Sequence, residues 1–216
     1  MPISFNGTTG AVTGIVSASS SDLSTSLSSK VSTTGQTGTV NLSTATIIGS
    51  GLDLVASQTF TAASTVSINN CFTNLYQNYT IHFSVSAAAP SGNIEFSFRV
   101  RSGGSDLSSS TYISQMMQST STSQNASAST SDNVQFGYSS NTYQQRSINT
   151  FEIRSPQLSS ITMVEYRSGF TLDSGSAYVR VGQAVVNNTN QYDGFTIYAT
   201  SGNFTGNVKV YGYRNT

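Results

Sequence analysis

The chain of 216 residues has one cysteine, one histidine, three prolines and no tryptophan, and only 8% of its residues are charged. Each shortage excludes something. A lone Cys71 allows no intrachain disulfide; beside Phe72 it reads as a small buried hydrophobe, and folding in a reducing cytoplasm fits. The formal net charge is zero, so there is no electrostatic footprint for nucleic acid or an anionic membrane. No apolar run approaches the ~20 residues that span a bilayer, and membrane insertion is not expected. The opening residues MPISFNGTTGAV lack the basic start and apolar stretch of a secretory signal. Lys and Glu are nearly absent, which argues against long solvated helices.

The same shortages thin out the chemistry. A metal site needs convergent His, Cys, Asp or Glu ligands, and His82 is the only histidine. A three-fold axis would bring three copies of His82 together; the plainer reading is a histidine on a polar strand face. A nucleophilic serine would have only His82 as its base, with no orienting acid nearby in sequence. The acidic residues are scattered singly. Glu152 and Glu165 fall in adjacent expected strands, where paired carboxylates would suit glycoside hydrolysis. Arg154 and Arg167 offer them ordinary cross-strand partners instead, and no Trp is present to stack on a sugar. Neither a Walker-type phosphate loop nor a dinucleotide fingerprint occurs. No catalytic residue, metal or cofactor is expected.

What is present is β-pattern. Aromatics make up 10% of the chain and sit in alternating runs. In YQNYTIHFSVSAAAPSGNIEFSFRVR, Tyr79, Ile81, Phe83 and Val85 share one face, and Ile94, Phe96, Phe98 and Val100 share another. With Pro90–Ser91–Gly92 between them, the two runs predict a long antiparallel hairpin. Further strands are expected at Leu52–Phe60, Ser64–Ile68, Thr111–Gln118, Val134–Tyr138, Ser147–Arg154, Ser160–Tyr166, Ala177–Val186, Gly194–Thr200 and Asn207–Tyr213. The stretch Ser119–Asp132 has no apolar anchor and reads as a loop. Short strands broken by Gly, Asn and Ser predict an all-β, antiparallel, jelly-roll-like β-sandwich over residues 51–216.

Several of these strands are apolar on both sides. Val208 and Val210 point one way in the closing strand, Tyr211 and Tyr213 the other. A solitary sandwich shows polar residues to water on its outer faces. Apolar character on both faces implies that one face meets another subunit, with Tyr211 and Tyr213 as interface candidates. The competing explanation is that amphipathic Tyr tolerates exposure.

Residues 1–50 differ in composition, being rich in Ser, Thr and Gly. Leu23, Leu27 and Val31 recur at helical spacing behind Asp22, which predicts a short helix near 20–31. Alone, so short a helix is marginal. Beside two copies of itself, its apolar stripe would close a small bundle; otherwise the segment is a flexible linker. Candidate contact loops combine Tyr with Ser and Asn: Tyr138, Asn141 and Tyr143 in one, Asn190, Tyr192 and Asp193 in the other.

The segments FTAASTVSINNCFTNLYQNYTIHF and IEFSFRVRSGGSDLSSSTY, with the closing GNFTGNVKVYGYRN, resemble a pattern in small virion proteins of tailed bacteriophages, particularly marine and freshwater phages. The likeness covers about residues 57–112 and 202–215 and is diffuse rather than a sharp motif. It implies a homotrimeric β-sandwich whose N-terminal arm docks on other virion proteins. It also implies a tail-fibre, receptor-binding or capsid-decorating role in the virion, assembled in the host cytoplasm. The partners implied are further copies of the chain and a host surface polysaccharide or protein. A carbohydrate-degrading spike is the enzymatic alternative. The resemblance carries over no functional residues.

Overall fold

The computed structural model describes residues 4–5, 12–13, 51–89, 92–120, 122–140, 147–172 and 174–214. The chain divides into two compact units, Met1–Thr46 and Ile47–Thr216. In the first, β1 (Ser4–Phe5) pairs antiparallel with β2 (Val12–Thr13). The helix expected near 20–31, with Leu23, Leu27 and Val31, lies outside the described residues.

The second unit is all-β among the described residues and forms a two-layer antiparallel sandwich. The larger sheet has eight strands. In spatial order they are β3 (Leu52–Ala63), β15 (Asn203–Arg214), β5 (Tyr76–Ala89), β11 (Ser147–Arg154), β12 (Thr162–Thr171), β13 (Ala177–Val186), β8 (Tyr112–Ser119) and β9 (Gln124–Ser131). The smaller sheet runs β10 (Val134–Ser140), β6 (Asn93–Ser102), β14 (Gly194–Ala199) and β4 (Thr65–Ile68), with the two-residue β7 (Ser105–Asp106) added to β6.

Period two governs burial. Along β12, Thr162, Val164, Tyr166, Ser168 and Phe170 are buried, while the residues between them are part-exposed or exposed. The same alternation runs along β11. The buried sets of the two sheets interlock as a core of aromatic rings. Phe98 of the small sheet lies parallel to Phe151 of the large one, centroids 5.3 Å apart, and Phe136 meets Phe151 edge-on at 4.8 Å. Such pairs add about 0.5–1.5 kcal/mol each beyond the area they bury.

The expected hairpin from Tyr76 to Arg101 does not form. β5 pairs with β15 and β11, whereas β6 pairs with β10 and β14. The chain therefore crosses from one sheet to the other after Ala89. The physical reason is mutual cover. Side by side, two strands with aromatic faces would need a third layer above them. Facing one another, they bury each other, and Phe83 meets Phe96 edge to face at 5.6 Å.

Two further corrections concern extent. The expected loop Ser119–Asp132 holds β9, which pairs with β8 without a break from Tyr112↔Ser131 to Ser119↔Gln124. Its side chains are almost all exposed, so hydrophobic patterning could not announce it; main-chain pairing alone defines it. The break expected between the strands Leu52–Phe60 and Ser64–Ile68 is instead, at Thr61–Ala63, the end of β3, where the register slips against β15 and Ala62 takes φ 48°.

Candidate functional site

The outward face of the eight-stranded sheet carries a concavity of about 990 Å³. Register decides what lines it. Residues directly opposite in an antiparallel pair share a face. One row across the strands reads Glu152, Glu165, Gln183, Gln115 and Ala128, from β11 to β9. The row beside it reads Thr150, Arg167, Val181, Met117 and Ala126. Both rows line the groove, and the main chain of β12, β13 and β8 forms its floor. The first row is hydrogen-bonding along four strands. The second turns from polar to apolar, with Met117 57% exposed and Val181 39%.

The structure thus sets Glu152 and Glu165 directly opposite one another. Like charges so placed repel. Each is held by a neighbour that does not line the groove. The Tyr213 hydroxyl donates to both Glu152 carboxylate oxygens at 3.1 Å. Burial first, and then the bond to Glu152 and its charge, raise the Tyr213 hydroxyl above the usual phenol range, so it remains a donor. Arg154 Nη2 lies 3.5 Å from Glu165 Oε1. Both of those side chains are largely exposed, so that pair contributes little stability. Thr150, Arg167, Gln183 and Gln115 make no side-chain hydrogen bond to other described residues, and their polar groups are free to meet a ligand.

The other sequence candidates are dispersed. Tyr211 packs against His82 edge-on at 5.7 Å, on the same outward face. It stands opposite Leu54, and Tyr213 opposite Leu52, so these four form one patch at the β3 edge. His82 is exposed, and no group of three potential metal ligands occurs among the described residues. Tyr138 does not protrude as a contact residue. The Arg180 guanidinium lies 4.9 Å above its ring. Burial, then a hydrogen bond to Glu95, raises its hydroxyl. Tyr192 is 1% exposed and donates to Asn188, which removes its ring from any contact surface. Asp193 is tied into the fold: its Oδ2 accepts from the Gly103 N–H at 2.9 Å, and its main chain bonds Arg101 and Phe72. Asn190 is exposed, and its N–H donates to Asn188 Oδ1 at 3.0 Å. Asn141 and Tyr143 lie outside the described residues.

Sequence reasoning did not assign Gln115, Gln183, Met117 or Val181 to a site. Their alternation away from the core was visible strand by strand. That β13 stands between β12 and β8 was not.

Comparison with family models, with characterised proteins and with solved structures found no match.

Proposed function

We propose that this chain is a non-enzymatic structural protein of a tailed-phage particle, a tail-fibre or receptor-binding appendage. Its jelly-roll-like sandwich assembles as a homotrimer, its N-terminal arm docks on other virion proteins, and its outward sheet face contacts the host surface. The observation that carries this reading is the apolar patch at the β3 edge. Leu52 and Leu54 are 43% and 58% exposed there, beside Tyr213, and Tyr211 adjoins them. A soluble solitary sandwich gains nothing from leucines in water at a sheet edge; a sister copy would cover them. The stripe Leu23, Leu27 and Val31 precedes this patch in sequence and supplies a second seam in the same reading. The likeness of residues 57–112 and 202–215 to virion proteins supplies the setting. Low charge suits the assembly, since few ions need be desolvated between copies.

Solution mass tests the assembly. Three times the 22.8 kDa of one chain is expected, and Leu54→Glu should lower it. A single-chain mass at tens of micromolar would overturn the trimer. Localisation in virions separates appendage from capsid decoration: particles lacking the protein should adsorb poorly yet keep stable heads. Stable adsorption with fragile heads would favour decoration.

A further inference from the structure

We infer that the groove on the outward face of the large sheet is a binding site for an uncharged polysaccharide, laid across the strands from β11 to β9. The inference rests on the reading of the sandwich as a surface-contacting appendage and names what its outward face would hold. Glu152, Glu165, Gln183 and Gln115 repeat once per strand. Neighbouring strands are about 4.8 Å apart, so the row from β11 to β9 spans about 19 Å. That suits a chain of several sugar rings with hydroxyls at regular intervals.

The hydrogen-bonding inventory selects the ligand class. Carboxylates only accept, guanidinium only donates, and amides and hydroxyls do both. A sugar hydroxyl both donates and accepts, so one polyol chain satisfies every member of the row. Beside the polar row, Val181 and Met117 offer an apolar strip for the C–H face of the rings. Charge selects further. Arg167 lines the groove, and Arg154 adjoins Glu165, so the two guanidinium groups balance Glu152 and Glu165. An anionic chain would face the two carboxylates, and a cationic one the Arg167 guanidinium.

A peptide fits less well. Extended peptides add to unpaired main chain at a sheet edge. The floor strands β12, β13 and β8 are each paired on both sides, and only β9, at one end of the groove, has an unpaired edge. The carboxylate pair supports the site rather than the fold. Two directly opposed glutamates weaken a sheet. The Tyr213 hydroxyl holds Glu152 from beside the groove before any ligand arrives, and Arg154 lies within ion-pair distance of Glu165.

Affinity electrophoresis of the full chain in native gels containing dextran, mannan or galactomannan tests the inference, with alginate and heparin as anionic controls. Retardation in at least one neutral gel is expected. Gln183→Ala, Gln115→Ala and Arg167→Ala, all at exposed positions, should each weaken it about five- to tenfold, as the loss of one hydrogen bond predicts. Gln58→Ala, on exposed β3 away from the groove, should leave it unchanged. No retardation by any neutral polysaccharide, retardation only by the anionic ones, or retardation indifferent to Gln183→Ala and Gln115→Ala would each overturn the site. A trimeric virion protein that ignores all three neutral chains would sink this inference alone. A monomer absent from particles would sink the reading beneath it.

Discussion

Phe83 and Phe96 meet edge to face with centroids 5.6 Å apart, though their strands follow one another in the chain and lie in different sheets. This contact marks the crossing that makes two layers out of one run of strands. Phe96 also lies parallel to Phe136 at 6.0 Å and edge-on to Phe204 at 5.2 Å.

Phe96→Ala should therefore cost about 3–5 kcal/mol, the range for a fully enclosed aromatic side chain. Urea unfolding should show a lower midpoint with an unchanged slope. A loss below about 1 kcal/mol would contradict a shared core between the sheets.

Gly206 sits where β15 passes β5 at a register slip. A methyl group there would come within 2.0 Å of the Ser84 carbonyl oxygen, which is main chain and cannot step aside. Gly206→Ala should destabilise by about 1–3 kcal/mol. At Gly169 on β12 a methyl group would meet no atom within 4 Å, and φ there is not positive, so Gly169→Ala should stay within about 0.5 kcal/mol. Thermal melts of the pair compare the two sites directly.

Arg180 is 3% exposed on β13 and donates twice to Gln118 Oε1, while its Nη1 has no hydrogen-bond partner. Glu95 of the small sheet supplies the counter-charge at 3.9 Å. Removing the carboxylate alone strands a buried cation, so Glu95→Ala should cost about 1–3 kcal/mol. Arg180→Met removes the cation but keeps an apolar stem over Tyr138 and Phe170, and should cost less. A double-mutant cycle should return a coupling of at least about 0.5 kcal/mol; additivity would mean the two charges do not interact.

Burial pushes the Cys71 thiol and the Tyr166 hydroxyl up to about 12 each, and raises Tyr112 and Tyr79 as well. These groups are neutral when protonated, so the folded state holds its protons more tightly than the unfolded one. The linked stability is fully present below the ordinary thiol and phenol values of 9.0 and 10.0, and is lost as pH rises through the folded values. Unfolding free energy should be level through neutral pH and fall above about pH 9. Iodoacetamide should leave Cys71 unmodified at pH 8 until denaturant opens the core; rapid alkylation of the folded chain would contradict its burial.

Much of the strand content was legible from side-chain alternation alone. Ser147–Arg154 and Ala177–Val186 have the bounds that their apolar periodicity predicts. That signal is local, because one strand's two faces are written in consecutive residues. β9 escaped it because both of its faces meet water, and only the backbone of β8 makes it a strand. The partnership of strands is written nowhere in a single segment. Period two states that Phe83 and Phe96 are buried, but not whether they lie beside or across from one another; the need of each aromatic face for a cover decided that. The groove has the same origin. Alternation turned Glu152, Glu165, Gln183 and Gln115 away from the core, and only the order of strands in the finished sheet brought them into one row.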